Sequence, residues 1–412
     1  MKKIIQFSLS IQPGEETRVL YFIRLSFFWA FATTCIETLA DGLFLKNVGS
    51  LTLPKFYLYS SLGTIGISSF ILYALKTANS FKILKTVMLL GSFLSLVSIV
   101  LLSIYPPPWF WLALKIFSRM FFSIFLASAW TFIDQYHDSN QAKRIYSLYS
   151  SAYFLGIVTS GTAINLLLEL LGYPSLFLLA FFFILFSLRE ATKIQLYIPK
   201  KEIDIPASFS ISGSLVKSPF TLFLITLSLL IQFMLTVTEC NYLSGFERSI
   251  HTFTAEYLSE FLGKCRAWIS FANIVISAFF YRPLLNRFGI KNVILITPIF
   301  FLIVYSGWIV HDSLFFAILG LIAVDSILFT FEDNSFNLLT KEVPDGLRAR
   351  VRIINDAFFE PIGMLVGASF LLGIQKHGLY LGFIFSFIAL GICLILRTSY
   401  TQVNSKIESS IG

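Results

Sequence analysis

Twelve apolar stretches, each long enough to cross a lipid bilayer, fill nearly all of this 412-residue chain. A bilayer's hydrocarbon core is about 30 Å thick, and a helix rising about 1.5 Å per residue crosses it in about 20 residues. Spans fall at about 21–45, 56–76, 83–105, 109–133, 145–171 and 174–188, then at about 218–245, 258–281, 291–310, 312–332, 352–375 and 377–397. Little chain is left for a soluble domain. The fold class expected is an all-α polytopic membrane protein with about 12 transmembrane helices. A transmembrane barrel would show alternating segments of about ten residues, unlike the unbroken run Ile99-Val100-Leu101-Leu102. Charged residues make up 13% of the chain, against roughly 25% in soluble domains.

The net charge of +8 would suit a nucleic-acid partner, but the placement of the basic residues argues for orientation instead. With the amino terminus inside, the inner segments carry 23 of the 31 basic residues, while the outer loops keep only Lys46, Lys55, Arg248 and Lys376. That asymmetry is a positive-inside signal, placing both termini in the cytoplasm. No short apolar run with a small-residue cleavage site follows Lys2 and Lys3, so the first span is expected to serve as an uncleaved anchor. The longest polar stretch between spans, 189–217, contains Arg189, Glu190, Lys193, Lys200, Lys201, Glu202 and Asp204. It divides the chain into an expected amino-terminal six-helix bundle (1–188), a cytoplasmic connector (189–217) and a carboxy-terminal six-helix bundle (218–412).

A weak internal repeat accompanies this layout. The fourth span ends Trp130-Thr131-Phe132-Ile133-Asp134 and the tenth ends Phe329-Thr330-Phe331-Glu332-Asp333. Each precedes a basic loop, Gln141-Ala142-Lys143-Arg144 in one half and Leu347-Arg348-Ala349-Arg350 in the other. The loop after the eighth span reads Arg282-Pro283-Leu284-Leu285-Asn286-Arg287-Phe288-Gly289-Ile290-Lys291, which requires a tight turn at Gly289 with cations beside helix ends. Six spans plus six around an inner loop, a parallel repeat and this RFG-plus-basic turn resemble the major facilitator transporters. The first-half loop, Leu75 to Lys82, departs from the pattern by lacking the glycine and the acid. The stretch Asp134 to Gly161, and Val343 to Arg350 followed by Asn355-Asp356 and Pro361-Ile362-Gly363, resemble the ATP/ADP (nucleotide) transporter-like branch of intracellular bacteria and plastids.

A charge at mid-bilayer costs roughly 2.5–3.5 kcal/mol, so such side chains face a cavity or a partner. Here they gather on four spans: Arg24, Glu37 and Asp41 on the first, Lys115 and Arg119 on the fourth, Glu239 on the seventh, Asp325 on the tenth. The resemblance implies that those four helices line the central cavity. Glu37 and Asp41 are four residues apart, as are Lys115 and Arg119, so each pair shares one helix face. Two readings stay open: the acids and bases neutralise each other, or the bases bind an anionic solute while an acid carries a proton. Candidate solute contacts are Arg119, Lys115, Arg24, Gln232 and Asn241. Candidate proton carriers are Glu37, Asp41, Glu239 and Asp325, with Lys264 and Arg266 as possible partners for the last two. A gate is expected from Asp134, Lys143 and Arg144 in one half and Asp333, Arg348, Arg350, Asp356 and Glu360 in the other.

Other chemistry is thinly represented. There is no Gly-rich phosphate loop, HExxH or GxSxG, and His137, His251, His311 and His377 sit at loops or span ends. Cys35, Cys240, Cys265 and Cys393 form no CxxC pair. No enzymatic activity, cofactor, metal or nucleic-acid partner is expected. The resemblance implies a secondary active transporter of a small, anionic solute such as a nucleotide or phosphorylated metabolite, working as a monomer in the bacterial inner membrane by proton coupling or exchange. The alternative is a non-transporting scaffold or sensor on the same fold, whose mark would be charge pairs fully consumed by one another.

Overall fold

Glycine and proline set the punctuation of the chain. After Asn47 a left-handed Gly49 (φ 87°) ends the first helix, and Gly172 (φ 70°), two residues before Pro174, breaks the 56-residue helical stretch Ser139–Ile194 into two. Proline disfavours a helical residue before it, and glycine alone takes this backbone region without strain. Gly289 (φ 72°) makes the turn anticipated in the RFG loop.

The computed structural model describes residues 11–12, 14–74, 79–104, 106–137, 139–197, 219–249, 254–340, 351, 354–373 and 377–411. All regular structure among them is helical. The elements are α1 (Glu16–Asn47), α2 (Leu53–Ala74), α3 (Ser80–Ser103), α4 (Pro108–Gln135), and α5 and α6, the two parts of Ser139–Ile194. They continue with α7 (Pro219–Ser249), α8 (Ala255–Val275, prolonged through a π-helical Ile276–Phe280 into Tyr281–Phe288), and α9 (Ile290–Val293 and Ile296–Val310). The last are α10 (Leu314–Ile322, π-helical Ala323–Glu332, then Asp333–Leu339), α11 (π-helical Asn355–Phe359, then Glu360–Gly373) and α12 (Gly378–Ile411). Among the described residues eight helices are long and apolar enough to cross a membrane, and one of these, Leu148–Ile194, has the length for two passages. The chain is an all-α polytopic membrane protein.

Two expectations shift. Residues 189–194, placed in the connector, extend α6 by a turn and a half, where Glu190 and Lys193 pair one turn apart at 2.7 Å. The described part of the connector ends at Tyr197. The tenth span, read as an ordinary helix, is π-helical over ten residues that include Asp325.

The described chain forms two compact units. The first takes residues 1–48, 67–207 and 252–278; the second takes 49–66, 208–251 and 279–412. Within the first unit α1 is the central element, buried at every position from 29 to 45. Its neighbours come close because small residues meet. A side chain on Gly156 of α5 would strike the Phe27 carbonyl oxygen of α1 at 2.5 Å, and one on Gly161 would strike the Gly263 carbonyl oxygen of α8 at 2.2 Å. On α1, Gly42 faces Ser259 and the Ala255 carbonyl of α8. Membrane helices associate through such small-residue contacts, because lipid supplies no hydrophobic drive between them.

In the second unit α7 is the counterpart. Gly363 and Gly367 of α11 approach the α7 backbone, and Tyr305 of α9 accepts a 2.8 Å hydrogen bond from the Thr238 hydroxyl and donates one of 2.9 Å to the Met234 carbonyl.

Candidate functional site

The four-residue spacing on α1 and α4 does bring two acids and two bases together. Arg119 Nη1 lies 3.4 Å from Glu37 Oε1, and Lys115 Nζ pairs with Asp41 Oδ1. A third cation joins them from α8, where Arg266 donates to Asp41 Oδ2 at 2.9 Å and to Thr38 Oγ1 at 2.6 Å. The local cause is the close passage of α8 over Gly42, one residue beyond Asp41, which brings Arg266 within reach of α1.

These contacts fall into two sorts. Lys115 is fully buried, and the side chains of Asp41 and Arg266 are 0% and 6% exposed. An enclosed carboxylate between two cations, with a hydroxyl taking a further guanidinium proton, satisfies the charges of a group that would otherwise be costly to bury. One turn away, Arg119 and Glu37 keep 13% and 11% of their side-chain surface exposed, and their contact is too long for a tight charge-assisted bond. The five side chains carry three positive and two negative charges. Arg266, expected from the sequence to serve Glu239 or Asp325, pairs with Asp41. A signal for this was present: Ser259, Gly263 and Ala267 recur every four residues on α8, the mark of a helix that packs closely, and Arg266 adjoins that stripe.

The other candidates lie elsewhere. Arg24 is 13 residues before Glu37, about 20 Å along the helix, and stands 4.0 Å from Glu190 instead, so it is not part of this cluster. In the second unit, Asn241 turns its amide onto its own helix, donating 2.6 Å to the Val237 carbonyl. Gln232 is half-buried beside Gly363, Glu239 is buried on α7, and Asp325 is half-buried in the π-helical stretch of α10.

Of the expected gate, Asp134 accepts a hydrogen bond from the Tyr146 hydroxyl. Beside it, Gln141 donates to Glu15 at 2.5 Å, and His137 sits between the Ile133 carbonyl and the Tyr149 hydroxyl, 2.9 Å from each. Because the carbonyl can only accept, Nδ1 carries the proton and Nε2 accepts from Tyr149. Burial pushes the His137 imidazole below its ordinary value, keeping it neutral. Asp356 is exposed and Glu360 half-buried, and Asn355 donates to both, at 3.3 and 3.1 Å. The side chains of Lys143, Arg144 and Asp333, and residues Arg348 and Arg350, lie outside the described residues.

No protein-family model matches the sequence, and no curated protein matches it significantly. Solved structures do. The chain is similar to a POT family transporter in complex with 5-aminolevulinic acid (TM-score 0.65, 13% identity, covering 93% of this chain and 96% of that one). It is similar to a bacterial homologue of the iron transporter ferroportin in an outward-facing state (TM-score 0.63, 15% identity, 95% and 99% covered). A variant of the nucleoside transporter NupG also matches (TM-score 0.57, 16% identity, 94% and 99% covered). These likenesses show a fold: the chain shares the fold of these solved transporters. They do not single out the nucleotide-transporter-like branch.

Proposed function

We propose that the chain is a secondary transporter that moves a small anionic solute across a bacterial inner membrane by alternating access, with Arg119 as the solute's anchor and Glu37 as its internal competitor. The observation that carries this reading is the contrast within one cluster. Lys115, Asp41 and Arg266 are enclosed and mutually satisfied, whereas the Arg119–Glu37 pair is loose and open. A guanidinium offers a planar fork that takes a carboxylate or phosphate through two parallel hydrogen bonds. An arriving anion displaces Glu37 from Arg119, and a proton taken up by Glu37 removes the competing charge. On this reading Lys115 and Asp41 hold α1 to α4 rather than taking solute or proton.

The bacterial ferroportin homologue has been seen in outward-facing and inward-facing states, and the chain matches both with a TM-score of 0.63. That supports alternating access, in which the two six-helix halves expected from the sequence, 1–188 and 218–412, move against each other and part the Asp41–Arg266 contact that joins them, with both termini and the connector in the cytoplasm. The scaffold alternative calls for enclosed charge pairs; the triad is enclosed, whereas the Arg119–Glu37 contact, at 3.4 Å, is partly exposed. Nucleotides, phosphorylated metabolites and carboxylates are the solute classes the guanidinium favours.

The test is uptake of a radiolabelled panel of those three classes by intact cells expressing the chain. Wild type should accumulate at least one anion, and Arg119→Lys, inserted to the same level, should lose most of that uptake. Accumulation unchanged in Arg119→Ala, or no anion accumulated by wild type, overturns the proposal.

A further inference from the structure

A second group of charges lies at the opposite end of α1 from the cluster, where α1 meets the last turns of α6. It borders a cavity of about 310 Å³, at the lower edge of the roughly 300–1,000 Å³ usual for small-molecule pockets. The polar wall consists of Arg24, Arg189, Lys193 and Glu190. Glu190 is buried; its Oε1 takes Lys193 at 2.7 Å, while its Oε2 lies 4.0 Å from Arg24 and accepts no hydrogen bond among the described residues. Arg189 is exposed and makes no ion pair among the described residues. Three cations against one carboxylate leave two positive charges at the mouth. Lys193 also lies over the Tyr21 ring, 5.1 Å from its centroid, which fixes the ammonium toward α1.

The apolar wall faces the other way. Phe28 packs against Phe183 and Phe186, both at 5.6 Å between ring centroids, and Phe186 continues into the exposed face of α6 through Phe182 and Leu178. A membrane-spanning helix turns such a face toward acyl chains. The basic-residue count puts this end of the unit at the cytoplasmic surface, where anionic lipids concentrate.

We propose that this cavity is a binding site for the headgroup phosphate of an anionic phospholipid, held by Arg24, Arg189 and Lys193 with an acyl chain along Phe183 and Phe186. A free phosphate would use the cations alone; the apolar wall that runs from the cavity onto the lipid-facing surface favours the lipid. Glu190 then sets the strength of the site, since it occupies Lys193 and attracts Arg24. The inference does not depend on the transport reading, for none of these residues touches the Arg119 cluster.

Native mass spectrometry of the full chain, released from vesicles of phosphatidylcholine doped with phosphatidylglycerol, tests it. Wild type should retain phosphatidylglycerol in preference to phosphatidylcholine, and an excess of inorganic phosphate should not displace it. Arg189→Ala, whose side chain makes no ion pair among the described residues, should weaken retention about fivefold, the effect expected for one cation near a membrane surface. Glu190→Gln should strengthen it, a gain that a purely structural role for these residues would not produce. Equal retention of the two lipids, displacement by inorganic phosphate, unchanged retention in Arg189→Ala, or weaker retention in Glu190→Gln would each overturn the proposal.

Discussion

Helices α1 and α7 stand at the same place in the two halves of the sequence and are the two most enclosed long helices, yet they are stabilised differently. Along α1, Asp41 and Glu37 are met by Lys115, Arg119 and Arg266 from two other helices. Along the middle of α7, neutral groups bond it to other helices: Thr238 with Tyr305, the Met234 carbonyl with Tyr305, and the Ser386 hydroxyl against the Met234 sulfur at 3.0 Å, while its ion pair, Arg248 with Asp312 at 2.8 Å, lies at the exposed end of the helix. The difference teaches that one unit fixes its central helix with ionic contacts in a setting without water, and the other with close packing and single hydrogen bonds. Ionic contacts are all-or-nothing: breaking one leaves a bare buried charge. Hydrogen bonds between neutral groups can be lost one at a time.

Asp41→Asn should break this comparison most severely. It leaves Lys115 and Arg266 buried without their carboxylate, a loss of about 3–5 kcal/mol for a broken buried pair. The expected outcome is little or no folded protein, read as the monodisperse fraction on size-exclusion chromatography in detergent. Gly161→Leu comes next. Its side chain would meet the Gly263 carbonyl and push α8 from α5, at about 1–3 kcal/mol for overpacking. Thermal unfolding should show a midpoint well below wild type.

Thr238→Val sharpens the other side of the comparison. Removing a neutral hydrogen bond to Tyr305 should lower stability by only about 1 kcal/mol. A collapse of folded yield comparable with Asp41→Asn would mean that α7 is as dependent on its polar contacts as α1. The smallest effect concerns His137. Burial lowers its pKa in the folded protein, so the neutral ring contributes stability above the ordinary imidazole value of 6.5, and that contribution is lost as pH falls below it. Glu15, Asp134 and Arg18 carry the nearby charges. His137→Gln should flatten the decline in the unfolding midpoint between neutral and mildly acidic pH.

Much of this was legible in the residues. Continuous apolar runs announced the spans because lipid demands them, and the gap between the spans at about 145–171 and 174–188 fell where Gly172 breaks α5 from α6. The pairing of Glu37 and Asp41 with Lys115 and Arg119 followed from helical periodicity plus opposite chain direction. What periodicity could not supply was the third partner. Arg266 lies 225 residues from Asp41, and nothing local says which helix α8 will touch; only the stripe of Ser259, Gly263 and Ala267 hinted at close packing. Arg24 misled for a related reason. A charge inside an apolar run says that a partner or water exists, not which, and Arg24 reaches toward Glu190 at the end of the bundle.

The central claim is that Arg119 binds the solute's negative charge and that Glu37 competes for the same guanidinium. With an accumulated anion in hand, its KM in proteoliposomes containing wild type, Glu37→Gln or Arg119→Lys tests this most directly. Glu37→Gln removes the competitor and should lower KM, while Arg119→Lys loses the bidentate geometry and should raise it about tenfold or more, since hydrogen bonds to charged groups contribute about 1.5–3 kcal/mol. A KM that rises in both variants, or stays at the wild-type value in Arg119→Lys, would contradict the account.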